Sequence, residues 1–300
     1  MVFIKNRRII KPVNVISCLV VLLFIFMVSI TPGVQKAHAD NSKGAKQIPP
    51  LDETVSIVLK HNSATSPNSS KSKGKRSNES VSDIISKTKK YYYELQLKNE
   101  QLKVANEVKE YFEKASSKAE EKYEEGDTSV TQSSLTKLKL GLSGTLNDII
   151  SLTSEIHVAK LSLGDMMGWQ ISTDDEIADD KIVPLAFKFE NFEEYFKSFN
   201  KSVQPYKSRV EQDLALRSAC IKVTETRDKL KLADKQKKMT RALLVTESSN
   251  YDFGIGNPDD LFQALIIYTR VLSGYYESIY NFNVAVVELD RTKEQILASL

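Results

Sequence analysis

Apolar side chains recur three and four residues apart through most of the chain beyond residue 80, a spacing that predicts long amphipathic helices. The pattern is clearest between residues 251 and 289. After Gly254, Gly256 and Pro258, the positions Leu261, Ala264, Tyr268, Val271, Tyr275, Ser278, Phe282, Ala285 and Leu289 form one seam, with a small polar interruption at Ser278. Alternating threes and fours are the mark of coiled-coil packing. Pro258 suits a first helical turn, where its missing N–H has no intrahelical partner to lose, and Asp259 and Asp260 complement the positive end of the helix dipole. Residues 251–289 therefore read as the turn and return helix of an antiparallel hairpin. Its outgoing helix is residues 206–249, with Leu216, Ala219, Val223, Leu230 and Ala233 on one face.

The pattern occurs twice. A second seam, Leu135, Leu138, Leu142, Thr145, Ile149, Leu152, Ile156, Ala159, Leu163 and Met166, follows a turn at Tyr123, Glu124, Glu125 and Gly126. One offset carries Leu135, Ala159 and Leu163 onto Leu261, Ala285 and Leu289, and an offset two residues longer carries Tyr123 and Gly126 onto Tyr251 and Gly254. The shared Tyr-x-x-Gly turn distinguishes a duplicated hairpin from two unrelated amphipathic helices. In the first copy the outgoing helix covers residues 81–125, with Ala105, Val108, Phe112, Ala115 and Ala119 on its seam. Thr131 or Ser133 is placed to cap the return helix, which runs to about Gly168. Gly141 and Gly144 fall inside that helix, each costing about 1 kcal/mol against alanine, in exchange for a bend or a close neighbour.

The expected fold class is all-α: two long antiparallel helical hairpins, a coiled-coil-like bundle from a tandem repeat, at residues 81–168 and 206–300. Residues 169–205 form a short irregular connector between them. Its acidic stretch, Asp174, Asp175, Glu176, Asp179 and Asp180, lacks the glycine and closing glutamate of a calcium loop and reads as a solvated loop. Residues 182–189, IVPLAFKF, read either as one short strand or as an apolar plug, and residues 192–199 as a short amphipathic helix.

The first 80 residues add little to a core. Residues 1–39 carry Lys5, Arg7, Arg8 and Lys11, an apolar run over residues 13–30, and Ala37, His38 and Ala39 before Asp40, the form of an export signal with an A-x-A cleavage site. Residues 40–80 hold a short helix at 51–61, with Leu51, Val55, Val58 and Leu59 on one face, followed by a flexible linker rich in serine and lysine.

Charge and cysteine narrow the function. Five basic and no acidic residues lie in 1–39, so the net +3 of the whole chain becomes −2 for the remainder. No surplus of positive charge is left for a phosphate-binding face, and nucleic acid is excluded as a partner. Cys220 is the only cysteine beyond the signal, on the apolar face of a helix, and reads as a small hydrophobe. His38, His61 and His157 are not paired at metal-ligand spacing. Gly254 and Gly256 follow a helix where a phosphate loop would follow a strand. The expectation is no enzyme: no catalytic residue, no cofactor, no metal.

At its turns the chain resembles the TolC-like outer membrane efflux protein family, whose protomers are tandem repeats of helix, two transmembrane strands and helix, three protomers to a channel. The family's tip has an aromatic residue, a glycine or small residue, an aspartate six residues further and an alanine ten further. Tyr251, Gly254, Asp260 and Ala264 match that order, and Tyr280, Asn283, Ala285 and Leu289 are similar to the family's "Y-x-x-A-x-x-x-L" close. Tyr123, Gly126, Ala159, Leu163 and Gly168 resemble it in the first hairpin, where Gln132 and Thr136 depart at plus six and plus ten. Residues 51–61, LDETVSIVLKH, are similar to the family's opening.

The resemblance implies a periplasmic or outer-membrane-associated component of an efflux or secretion channel in a Gram-negative-type cell. It also implies self-association, three chains to an assembly, and a periplasmic adaptor (membrane fusion) protein docked at tips built by Tyr123, Gly126, Tyr251, Gly254, Gly256, Asp260 and Ala264. A membrane-spanning strand needs about 9 to 11 residues of alternating polarity. Residues 182–189 are the only stretch near that description, so the sequence does not supply the family's four strands. The alternative is an exported structural coiled-coil protein with no transport role.

Overall fold

In a computed structural model that describes residues 47–65, 80–202 and 210–299, six helices account for the fold: α1 (Leu51–Thr65), α2 (Val81–Glu124), α3 (Gln132–Met167), α4 (Phe192–Ser202), α5 (Val210–Asp252) and α6 (Pro258–Ala298). The protein is all-α, with α2/α3 and α5/α6 as the two long antiparallel hairpins. The proposed signal and most of the proposed linker lie outside the described residues. No helix among the described residues is long and apolar enough to cross a membrane.

Three of the four long helices, α2, α3 and α6, start where the sequence supplies donors and acceptors for the free end groups. Ser80 caps α2 in a capping box with Asp83, Thr131 caps α3 in a capping box with Ser134, and Asn257 caps α6 ahead of Pro258. The backbones associate in the order α5, α6, α2, α3, with α3 also reaching α6, α1 resting on α2 and α3, and α4 on α5. This leaves α3 and α5 as the two edges of the array.

The core is divided along its length. Nearest the glycine turns, all four long helices share one apolar cluster, with Val108 and Phe112 from α2, Leu135 and Leu138 from α3, Leu244 and Tyr251 from α5, and Leu261 to Leu272 from α6. Further away it splits. One cluster joins Val58, Tyr92, Leu95, Ile156 and Leu163 of the first hairpin and α1, a second joins Tyr195, Leu216, Cys220, Val223, Phe282 and Leu289 around α4, α5 and α6, and a third packs Tyr93 and Leu97 of α2 with Ile182 against Ile279 and Val287 of α6. Cys220 is fully buried there, its thiol pushed up by desolvation, and is a core side chain.

Gly141 answers the close-neighbour expectation and Gly144 does not. A Cβ at Gly141 would stand 2.5 Å from the buried Phe112 ring, whereas one at Gly144 meets nothing within 4 Å. Replacing Gly144 with alanine should therefore stabilise by roughly 0.5–1 kcal/mol, through helix propensity alone. Gly141→Ala should destabilise, because a close-packed ring has nowhere to go. Paired thermal melts that moved in the same direction would contradict this packing.

The seam of α3 is buried or half-buried at every expected position. In α6, Leu272 and Ile279 are buried, and Val271, Tyr275 and Ser278 are only half-buried. A strict heptad suits a helix with one partner, but α6 lies against α5, α2 and α3, so a wider arc of its surface is covered.

Residues 182–189 belong to no regular element, and among the described residues there is no strand, only an isolated parallel bridge between Ile48 and Ile177. The segment is the apolar plug. Ile182, Leu185, Phe187 and Phe189 turn inward, and the buried Asn283 of α6 replaces a neighbouring strand: its Oδ1 accepts from Leu185 N–H at 2.8 Å and its Nδ2 donates to Val183 O at 2.8 Å.

Asp174, Glu176, Asp179 and Asp180 of the acidic stretch are exposed, as the solvated-loop reading expects, and Asp175 is the exception. Asp175 is buried with its carboxylate accepting from Ser172 N–H at 2.8 Å, Asp180 pairs with Lys103 at 2.7 Å, and Gln96 donates to Asp179 O at 2.6 Å. Ile48 bonds Glu176 O and Ala178 N–H through its backbone. Local hydrogen bonds and the neighbouring α2 hold the loop down, and a charge run carries no signal for either.

Candidate functional site: the paired hairpin tips

Both turns close by the same hydrogen bonds, and this gives the repeated Tyr-x-x-Gly its physical meaning. In the first, Gly126 N–H donates to Tyr123 O at 3.1 Å and Asp127 N–H to Lys122 O at 2.9 Å. In the second, Gly254 N–H donates to Tyr251 O at 3.2 Å and Ile255 N–H to Asn250 O at 3.0 Å. This is the Schellman ending, which needs one left-handed residue just past the helix. Gly126 at φ 81° and Gly254 at φ 78° supply it, in a region where a side chain is strained. Gly256 is required for a different reason: a Cβ there would stand 2.9 Å from the Tyr251 backbone nitrogen.

The two tyrosines share a register and differ in surroundings. Tyr251 is 2% exposed, its hydroxyl donates to Ala115 O at 3.0 Å, and burial pushes its phenol up to about 12. Tyr123 is 44% exposed. Lys118 adds to the lock on Tyr251: its ammonium donates to Tyr251 O at 3.1 Å and Asp252 O at 2.8 Å, at the negative end of α5, and lies 5.3 Å from the centre of the Tyr251 ring. The second tip is thus fastened to α2 of the first hairpin.

The other expected site residues divide between framework and surface. Asp260 N–H donates to Asn257 Oδ1 at 2.9 Å while Asn257 Nδ2 donates to the Asp260 carboxylate at 2.7 Å, so Asp260 belongs to the cap of α6. Ala264 is buried in the tip core. Asp259, which the sequence marks only as a first-turn acid, accepts from Lys137 of α3 at 2.8 Å, a half-exposed ion pair between the two tips. In the first tip Asp127 accepts from Ser129 N–H at 2.8 Å, which holds its carboxyl below the usual range, and Val130 plugs the core beneath.

Sequence reasoning missed the most exposed apolar groups at the tips. Phe253 and Ile255 flank Gly254 at 82% and 79% exposure and stand out from a turn whose other groups are tied down. Large apolar residues inside a glycine turn were the available signal. Sequence reasoning also missed the edges of the array. On α5 the exposed Leu214, Ile221, Leu232, Met239 and Leu243 fall at intervals of whole turns on the side away from the core, and on α3 Leu140, Ile150, Val158 and Leu161 do so within a broader arc.

No family model matches this chain, and no curated protein matches it. Solved structures do. The chain is similar to CusC, whose crystal structures follow conformational changes accompanying folding and transmembrane channel formation, with TM-score 0.54 and 10% identity over 81% of this chain and 72% of that one. It is similar to the outer-membrane channel OprN with TM-score 0.55 and 10% identity over 81% and 70%, and to the Campylobacter jejuni CmeC outer membrane channel with TM-score 0.52 and 10% identity over 81% and 65%. The resemblance to TolC-like channels drawn from the turns is borne out in the fold, and at this identity the likeness speaks to the fold alone.

Proposed function

We propose that the protein is the helical shaft and tip of a TolC-like efflux or secretion channel component, exported to the periplasm or to the outer membrane's inner face. In this reading several copies, three as in the family, close side by side, and the tips dock onto an adaptor's helical hairpin. The observation that carries the reading is the four-helix array with both glycine tips at one end and an outward apolar stripe on each edge helix, α3 and α5. A heterologous contact between unlike edges closes into a ring when the rotation permits. The fold likeness to outer-membrane channels supports the same reading. Tyr123, Gly126, Tyr251, Gly254, Gly256, Asp260 and Ala264 shape the tips, and Phe253 and Ile255 make the contact.

The test of docking uses a photo-activated cross-linker placed near the second tip, in cells that express a periplasmic adaptor. Changing both Phe253 and Ile255 to serine should lower adaptor cross-linking at least tenfold while leaving stability within about 0.5 kcal/mol, as expected for exposed positions. Undiminished cross-linking would remove the tips from the account. Fractionation separates the alternative: a channel component sediments with outer membrane, and a structural coiled-coil protein stays soluble.

A further inference from the structure

One flank of α5 carries more chemistry than a shaft requires. Between α5, α6 and the connector at Pro184, Leu185 and Phe187 lies a groove of about 660 Å³. Leu185, Phe187, Leu230 and Phe282 give it an apolar floor. Arg227, Lys231, Lys235 and Lys238 follow one another along α5 at its margin, against a single lining carboxylate, Asp234.

The neighbouring acids neutralise this margin only in part. Asp234 holds Lys238 at 2.8 Å, Asp228 stands 3.5 Å from Lys231, and Lys235 has no acidic partner among the described residues. Arg227 is fixed in place: its Nη1 donates to Phe189 O at 2.8 Å, its Nη2 lies 3.1 Å from the Glu190 carboxylate, and its buried Nε makes no hydrogen bond. Lys237 sits 3.9 Å over the Tyr275 ring and adds another cation close by.

We propose that this groove binds a single-chain amphiphile with an anionic headgroup, the alkyl chain on the Leu185, Phe187 and Phe282 floor and the headgroup against Lys231 and Lys235. An apolar pocket with a few polar groups at its margin is the usual form of a small-ligand site, and the volume lies within the range of about 300–1,000 Å³ for such sites. The same volume takes only one or two turns of a helix about 10–12 Å across, so a partner helix fits it poorly. Cations beside an apolar floor favour a ligand that carries both features, because an apolar ligand leaves the charges unused and a hydrated anion leaves the floor exposed.

The experiment titrates the purified protein with cis-parinaric acid, a fluorescent fatty-acid carboxylate, below its micelle concentration. The proposal expects one saturable site per chain. It also expects at least tenfold weaker binding of the methyl ester, and at least tenfold weaker binding of the acid after Lys231→Glu with Lys235→Glu, two exposed changes whose fold is checked by an unchanged melting curve. No saturable binding would overturn it. So would equal binding of acid and ester, which would mark a bare apolar patch, or a helical acidic peptide that displaces the probe more tightly than unlabelled fatty acid does. The site needs no second chain, so its outcome is independent of whether the protein assembles.

Discussion

Lysine at Ile150 and Ile221 together is expected to leave a folded chain that no longer associates with itself. Ile150 lies on the outer side of α3 and Ile221 on the outer side of α5, and both are more than half exposed, so neither contributes to the core of a single chain. Exposed changes of this kind alter stability by no more than about 0.5 kcal/mol. In an assembled ring both side chains would lie within the edge contact, at different heights, where a buried, unpaired ammonium is costly. The expected loss is at least a hundredfold in the self-association constant, about 2.7 kcal/mol. Sedimentation velocity over a concentration series measures it. Either single change should weaken association by itself, because a heterologous contact needs both edges.

The second large effect concerns the tyrosine that anchors the second tip. Tyr251→Ala removes a 2%-exposed ring from the core that all four long helices share, together with the hydrogen bond to Ala115 and the ring beneath Lys118. Loss of a large buried aromatic costs about 3–5 kcal/mol. In a domain of this size that is a fall of roughly 6–20 °C in melting temperature. Tyr251→Phe keeps the ring and should cost about 1 kcal/mol. Tyr123→Ala at the matching position of the first tip should cost less than about 1 kcal/mol, because that ring is largely solvated. Equal losses at Tyr123 and Tyr251 would contradict the asymmetry.

The buried phenols also set an alkaline limit. Burial pushes Tyr93, Tyr251 and Tyr276 up to about 12 from an ordinary 10.0. Their raised folded values contribute stability that is fully present below pH 10 and is lost as pH rises towards 12. Denaturant midpoints should therefore hold steady up to about pH 10 and fall steeply above it.

Much of this architecture was legible because long helices repeat one physical instruction many times. The α3 seam from Leu135 to Met166 and the α2 seam from Ala105 to Ala119 are covered as their spacing predicts. Tyr-x-x-Gly was legible as a turn, and its Schellman bonds explain why glycine follows the helix. Features that depend on a distant neighbour were not legible. Nothing local distinguishes the buried Tyr251 from the exposed Tyr123, because the difference is made by Ala115 and Lys118 on another helix. The plug at residues 182–189 alternates as a strand does, but its lateral partner is the Asn283 side chain, which no strand pattern encodes. The stripes on α3 and α5 escaped notice for a related reason: exposed apolar residues stand out only once the core face is assigned elsewhere.

Assembly is the claim on which the reading of shaft, edges and tips rests. The mass of the purified protein by sedimentation equilibrium, at about 10–100 μM, tests it most directly. A closed species of three chains is expected, with cysteines placed at Ile150 and at Met239, which lies at the same height along the bundle, cross-linking α3 of one copy to α5 of the next. A single chain at every concentration, with no cross-link between α3 and α5, would contradict it.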